Sequence, residues 1–190
     1  MTREEILEAA VFIFSQKGFH ATSMQDIAEA VNLQKASLYH HVSSKQEILV
    51  ELLDQALDLL IDQIENVLEQ PIPPDEKLRQ AVSVYQTTLI NNRERAAVLL
   101  MEHRSLDPEL HARHIPRRDR FEHLWRDLIC QGLSQGVFEC TDPALAARAL
   151  LGMMNWTITW YKPEGRLSAD EIAENIADLA LRGLLARRIT

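Results

Sequence analysis

The chain has 190 residues, 46% of them apolar and 25% charged, with a formal net charge of −8. That length and mixture suit one or two small domains with proper cores, and the negative charge excludes a protein that coats nucleic acid by bulk electrostatics. Glycine and proline are few, and Leu, Ala, Glu, Gln and Arg outnumber Val and Ile, so composition favours helices over sheets.

The first predicted helix runs from Arg3 to Lys17, with Thr2 as its N-cap and Ile6, Leu7, Ala10, Ile13 and Phe14 on one stripe; Gly18 stops it. Its polar start lacks the continuous apolar core of a signal peptide. Thr22 or Ser23 caps a short second helix carrying Ile27, Ala28 and Val31. Asn32 and Leu33 make a tight turn into a third short helix, about Gln34 to His40. Ser43 or Ser44 caps a long fourth helix whose stripe runs from Ile48 to Val67, with Glu47 as capping-box partner of Ser44. The run QPIPPD, Gln70 to Asp75, breaks the chain. Further helices are expected over 75–91, 93–104, 108–135, 142–161 and 168–187. Pro116 predicts a kink or break in the seventh. Cys130 and Cys140 are isolated thiols, not a disulfide framework. The uncharged stretch from Ala149 to Tyr161 is too short for a bilayer, which needs about 20 apolar residues. The expectation is an all-α cytoplasmic protein of about nine helices, divided as 1–47 and 48–190, with no membrane contact.

Two short helices joined by a tight turn after a longer amphipathic helix form a unit that reads DNA, the second helix entering the major groove. The outer face of that helix must be polar without being acidic. Gln34 to Lys45, QKASLYHHVSSK, holds two lysines, three serines, two histidines and no carboxylate. Gln34 can pair with adenine and Lys35 with guanine, at the end of the helix nearest the bases. Ser37 and His40 follow on the same face, and Tyr39 can bond a phosphate through its hydroxyl. Lys45 can neutralise a phosphate at the start of the fourth helix, and Thr22 and Ser23 can do so at the start of the second. Residues 1–47 hold four Lys or Arg against six Asp or Glu, so nonspecific affinity should be modest.

Thr22 to Lys45, TSMQDIAEAVNLQKASLYHHVSSK, resembles the N-terminal domain of the tetracycline-repressor (TetR) family. It departs from the family at Asn32, where glycine is usual, at Ala36, and at His41 and Val42, which replace an aromatic pair. Asn is the next-best residue for a left-handed turn. The resemblance implies an N-terminal helix-turn-helix domain and a C-terminal helical bundle that binds a ligand and dimerises, the last two helices forming a four-helix bundle with a second copy. Leu145, Ala149, Gly152, Met153, Trp156 and Trp160 form one apolar stripe there, and Ile172, Ile176, Leu179, Ala180, Gly183 and Leu184 the other. Filling the implied cavity moves the DNA heads. Its candidate lining is Leu100, Met101, Phe121, Leu124, Trp125, Leu128, Met153, Met154, Trp156, Thr157 and Trp160, each of which could equally be plain core.

Gly152 to Ile172 resembles a subgroup that answers to fatty acyl-CoA or related lipid-derived thioesters. Arg104, Arg113, Arg117, Arg118 and Arg120 could hold CoA phosphates, or could pair with Asp107, Glu109, Asp119 and Glu122 on a solvated face. The reading is a ligand-responsive repressor, a homodimer on a palindromic double-stranded operator, released by a small apolar effector such as an acyl-CoA. No cofactor, metal or catalytic residue is implied. Two alternatives stay open: a metal-binding helical-bundle enzyme using His111 and His114 or Glu102 and His103, and a protein-binding relative without DNA affinity.

Overall fold

The computed structural model describes residues 2–185. Their ten α-helices are α1 (Arg3–Lys17), α2 (Met24–Ala30), α3 (Lys35–Leu38), α4 (Lys45–Leu68), α5 (Pro74–Asn91), α6 (Arg93–Met101), α7 (Pro108–Ser134), α8 (Pro143–Asn155), α9 (Thr157–Trp160) and α10 (Ala169–Leu184). A 3-10 turn, His103–Ser105, lies between α6 and α7. The described residues contain no strand, only a lone bridge between Phe138 and Leu185. The all-helical expectation therefore holds.

Helix ends follow local chemistry. Thr2, Ser23 and Ser168 each make a capping box with the acid three residues on, Glu5, Asp26 and Glu171. Ser44 Oγ accepts from the Glu47 N–H, but the Glu47 carboxylate reaches Ser43 rather than Ser44. Helix α3 is shorter than expected because the backbone tightens after Leu38: the N–H groups of His40 and His41 bond carbonyls three residues back. The helix expected over 142–161 splits at Trp156. There the Trp156 carbonyl accepts both the N–H and the hydroxyl of Thr159. Helix α7 runs through Pro116 without a break. Ala112, whose carbonyl loses its partner to that proline, is exposed, so water can serve it. Residues 186–187 of the last expected helix lie outside the described residues.

The chain forms two compact units. One comprises Met1–Asp58 with Asn92–Arg117, and the other Leu59–Asn91 with Arg118–Thr190. The division falls inside α4 and α7.

In the first unit, Ile6, Leu7, Phe14, Ile27, Leu38, Ile48, Leu49 and Leu53 are buried together with Phe19, whose ring meets Phe14 edge-on at 5.3 Å. Burying each such side chain is worth roughly 1.5–3 kcal/mol. Helix α1 packs on α2 and α6, and α2 on α3. Arg3 pins the start of α1 to α4 through Glu47 (2.8 Å) and Glu51 (2.6 Å), and also donates to the His41 carbonyl. Arg95 of α6 pairs with Glu4 (3.0 Å) and Glu8 of α1.

In the second unit, α10 packs along α5, and α5 meets α8 and α9. Tyr85, Phe121 and Trp125 form a buried ring cluster with centroids 5.4 to 6.3 Å apart. Lys77 is buried and donates to the Leu68 carbonyl at 2.6 Å, placing a cation at the C-terminus of α4. Gly132 lets the chain fold back on α7, since a Cβ there would stand 2.0 Å from the Phe138 ring.

Candidate nucleic-acid interface and interior ligand site

The turn between α2 and α3 depends on Asn32. Its φ of 54° makes it the one non-glycine residue with positive φ among those described. In this conformation the Leu33 N–H bonds the Ala28 carbonyl at 2.8 Å, which closes α2 and redirects the chain. Leu38 is fully buried and anchors α3, so the opposite side of that short helix faces out.

That outer side carries Gln34, Lys35, Ala36, Tyr39 and His40, all exposed, with Ser37 half-buried. Among the described residues, the side chains of Gln34, Lys35, Ser37, Tyr39 and His40 enter no hydrogen bond or ion pair. They form one uncommitted donor-rich surface without a carboxylate, as base-edge and phosphate contacts require.

The other three predicted contacts are placed differently. Thr22 is buried, and its hydroxyl donates to the Gly18 carbonyl at 2.8 Å. Ser23 is exposed but caps α2. Lys45 is half-buried; its ammonium donates to the carbonyls of Phe19 (2.7 Å) and Thr22 (2.5 Å) and lies 4.2 Å from the Phe19 ring centroid. Partial burial lowers the Lys45 pKa. Thr22 and Lys45 thus tie the α1–α2 loop to α4, behind the outward face. Sequence reasoning missed that clamp, because periodicity does not reveal which carbonyls a loop leaves free. Glu102 completes it by accepting the Phe19 N–H at 3.1 Å. Gln46 of α4 bonds the Ser105 carbonyl at 2.9 Å and the Asp107 N–H at 3.1 Å.

The apolar stripe on α8 and α9 turns outward. Leu145, Ala149, Gly152, Met153, Trp156 and Trp160 are all exposed, with Leu145 and Trp156 at 64%. On α10 the stripe divides: Ile172, Ile176 and Leu184 are buried, Ala180 is half-buried, and Leu179 and Gly183 are exposed. A Cβ at Gly152 or Gly183 would meet nothing within 4 Å. Met153, Trp156 and Trp160 therefore belong to a surface, not to an interior lining. Of the other predicted lining residues, Phe121, Trp125, Leu128, Met154 and Thr157 are buried in the second unit, and Leu124 is half-buried. Leu100 and Met101 belong to the first unit, where Leu100 is half-buried and Met101 exposed.

The interior of the second unit is not purely apolar. Gln86, Trp125 and Thr157 are fully buried, and Gln86 Nε2 and Oε1, Trp125 Nε1 and Thr157 Oγ1 have no partner there. The Tyr85 hydroxyl bonds Asn155 Oδ1 at 2.5 Å, and burial pushes the Tyr85 phenol well above its ordinary pKa, so it stays neutral. Gln86 was missed, yet it had a signal: it occupies the i+4 stripe Leu78, Val82, Gln86, Ile90 of α5.

The arginines divide as well. Arg117 pairs with Asp54 and Asp58, both at 3.1 Å, and Arg120 with Glu65 at 2.7 Å; these partners lie on α4, not on α7 itself. Arg104, Arg113 and Arg118 are exposed and enter no ion pair among the described residues. His114 is buried with Nδ1 2.8 Å from Asp54. No group of three His, Cys, Asp or Glu side chains converges among the described residues, and no described helix is long and apolar enough to cross a membrane.

Comparison with known proteins bears on both units. Residues 6–52 match the family described as bacterial regulatory proteins, tetR family. Residues 71–184 match that described as tetracyclin repressor-like, C-terminal domain. The crystal structure of the TetR family transcriptional regulator PfmR from Thermus thermophilus superposes with a TM-score of 0.86 at 43% identity, covering 94% of this chain and 97% of that one. The HTH-type transcriptional repressor KstR2 of Mycobacterium tuberculosis is 27% identical over 184 residues, 96% of this chain and 92% of that protein. AibR, solved in complex with isovaleryl coenzyme A and operator DNA, is 30% identical with a TM-score of 0.87, covering 93% of this chain and 96% of that one.

Proposed function

The chain belongs to the tetR family of bacterial regulatory proteins, and from that premise we propose that it represses transcription as a homodimer on a palindromic operator and is released by an effector with an apolar chain, an acyl-CoA or similar lipid-derived molecule. The family is one of DNA-binding regulators rather than enzymes. The observation that carries the proposal is the uncommitted, acid-free outer face of α3, set on a turn that Asn32 holds in the left-handed region.

We assign DNA binding to residues 1–47, and effector binding and dimerisation to 48–190. Gln34 and Lys35 read base edges; Ser37, Tyr39 and His40 supply further base and phosphate contacts. Ser23 offers its hydroxyl at the start of α2. Thr22 and Lys45 hold the loop that presents α3. The exposed face of Leu145, Gly152, Trp156, Trp160, Leu179 and Gly183 is the surface a second copy covers. Its bare glycines allow close helix approach and its tryptophans supply apolar area. Twofold symmetry then sets two α3 helices on half-sites about 34–36 Å apart, or a multiple of that.

The acyl-CoA reading is supported by the likeness to AibR, whose structure holds isovaleryl coenzyme A and operator DNA. It is also supported by Arg118 of the second unit, exposed and without an ion-pair partner among the described residues. Within the first unit, the bonds from the Phe19 N–H to Glu102 and between Gln46 and Ser105 and Asp107 tie the connection between α6 and α7 to the α1–α2 loop and to α4. Release is a population shift: the acyl-CoA binds a conformer whose heads no longer match the operator. Operator DNA must then weaken effector binding by the same factor.

The test is fluorescence anisotropy on DNA from upstream of the chain's own gene, titrated with acyl-CoAs of graded chain length. Salt-sensitive binding to one palindrome, reversed by a subset of acyl-CoAs, is expected. No preference over random DNA would defeat the repressor reading, and no release by any acyl-CoA would defeat the effector class alone.

A further inference from the structure

Cys130 lies on α7 and Cys140 in the segment that leads to α8, and both carry free thiols. The turn that ends α7 brings these two segments together. Gly136 takes a φ of 67° and its N–H bonds the Leu133 carbonyl at 3.1 Å, which turns the chain back. The N–H groups of Val137 and Phe138 then both bond the Gly132 carbonyl, at 2.9 and 3.1 Å. The Phe138 ring rests on the bare face of Gly132. The Leu184 carbonyl holds the next residue by accepting the Glu139 N–H at 2.6 Å. Cys130 and Cys140 flank this closure, each two residues outside the contact of Gly132 with Phe138.

The two thiols also act on each other. Burial raises the Cys140 pKa first, then the neighbouring Cys130, then the Asp142 carboxylate, against a hydrogen bond from the Asp142 N–H. Equal charges act more strongly the nearer they are, so Cys130 stands closer to Cys140 than the Asp142 carboxylate does. Cys130 is exposed and Cys140 half-buried, so solutes meet Cys130 first. Asp142 caps α8 by accepting the Ala144 and Leu145 N–H groups, which sets the Cys140 sulfur in the turn that starts that helix.

We propose that Cys130 and Cys140 form a peroxide-sensitive dithiol that closes to a disulfide and ties the start of α8 to α7. The oxidant is hydrogen peroxide. The Cys130 thiolate attacks one peroxide oxygen; the O–O bond breaks, and hydroxide leaves and takes up the thiol proton as water. The sulfenic acid at Cys130 is then attacked by the Cys140 sulfur. The S–S bond forms as the S–O bond breaks, and a second water leaves with the Cys140 proton. Two thiols lose two electrons and one peroxide becomes two waters. A thiol reductant reverses the change. The dithiol stands apart from the acyl-CoA reading and does not depend on it.

Intact mass spectrometry and non-reducing peptide mapping of the full chain, before and after peroxide, test it. The expected result is a loss of two hydrogens, one peptide pair linked through Cys130 and Cys140, and full reversal by dithiothreitol. Cys140→Ser should stop at the sulfenic acid, trapped on Cys130 by dimedone. Cys130→Ser should keep its Cys140 thiol at the same dose. Circular dichroism verifies that each variant is folded, and the wild-type peptide map decides by itself if one is not. The linked chain should melt above the reduced one, because the closed loop restricts the unfolded chain. Both thiols still open to alkylation after peroxide would overturn the dithiol. So would a disulfide that joins two copies, or Cys130 driven to a sulfinic acid beside a free Cys140. A linked chain that melts below the reduced one also overturns it, since a bond between adjacent sulfurs should not strain the fold.

Discussion

Lys35 and Lys45 stand at opposite ends of the same acid-free stretch and have different uses. Lys35 is exposed and uncommitted, whereas the Lys45 ammonium is held by two carbonyls. Lys35→Ala should weaken operator binding by about 1–3 kcal/mol and leave random DNA almost unaffected, as a lost base contact does. Equal loss on both DNAs in an anisotropy assay would make Lys35 a phosphate contact instead. Lys45→Met should lower the melting temperature, because it leaves the carbonyls of Phe19 and Thr22 without their donor. A third residue-scale prediction concerns Glu47, whose pKa is lowered to about 2, first by the Ser43 hydroxyl, then by the Ser43 N–H and Arg3. A carboxylate depressed on folding adds stability that is present above its unfolded pKa, near 4.5, and is lost as pH falls toward 2. Glu47→Gln should therefore flatten the fall in melting temperature between pH 5 and 2.5 (approximate bounds of that window). An unchanged slope would remove Glu47 from the acid response.

Among the elements, short connections carry the strictest demands. Asn32 at φ 54° tolerates glycine but not a β-branched residue, so Asn32→Val should cost about 1–2 kcal/mol, while Asn32→Gly stays near neutral. Chemical denaturation of the two variants checks the contrast. Gly132 has the opposite constraint, of space rather than torsion. Gly132→Ala drives a methyl into the Phe138 ring and should cost about 1–3 kcal/mol by overpacking. Helix α10 shows how one element can have two partners. Its Ile172, Ile176 and Leu184 face inward, while Leu179 and Gly183 are exposed, on the face proposed above for a second chain.

For the whole molecule, the net charge of −8 and the acidic balance of residues 1–47 make dimer geometry decisive for the operator binding proposed above. With few cations to meet phosphates, affinity must come from two recognition helices acting together, and the salt slope should be shallow. The double variant Trp156→Glu and Leu179→Glu places charges on the outward apolar face. It should sediment as a monomer and lose operator affinity far more than random-DNA affinity. A dimer that persists in both substitutions would move the interface elsewhere.

The sequence by itself determined the helical class, most helix starts, the Asn32 turn and the outward face of α3. Each is set by residues within a few positions of one another, through caps, 3.6-residue periodicity and backbone torsion. It also carried the family, since the stretch Thr22 to Lys45 is a local pattern. Only the tertiary structure decided which apolar stripe is buried and which is bare. Periodicity finds an apolar face but not what covers it, so Trp156 and Trp160 read as pocket or as interface until α8 and α9 had neighbours. It alone gave Lys45 to two loop carbonyls, Arg117 to α4, and Gln86 to an interior with no partner, because hydrogen bonds and ion pairs between distant segments depend on packing that no short stretch encodes.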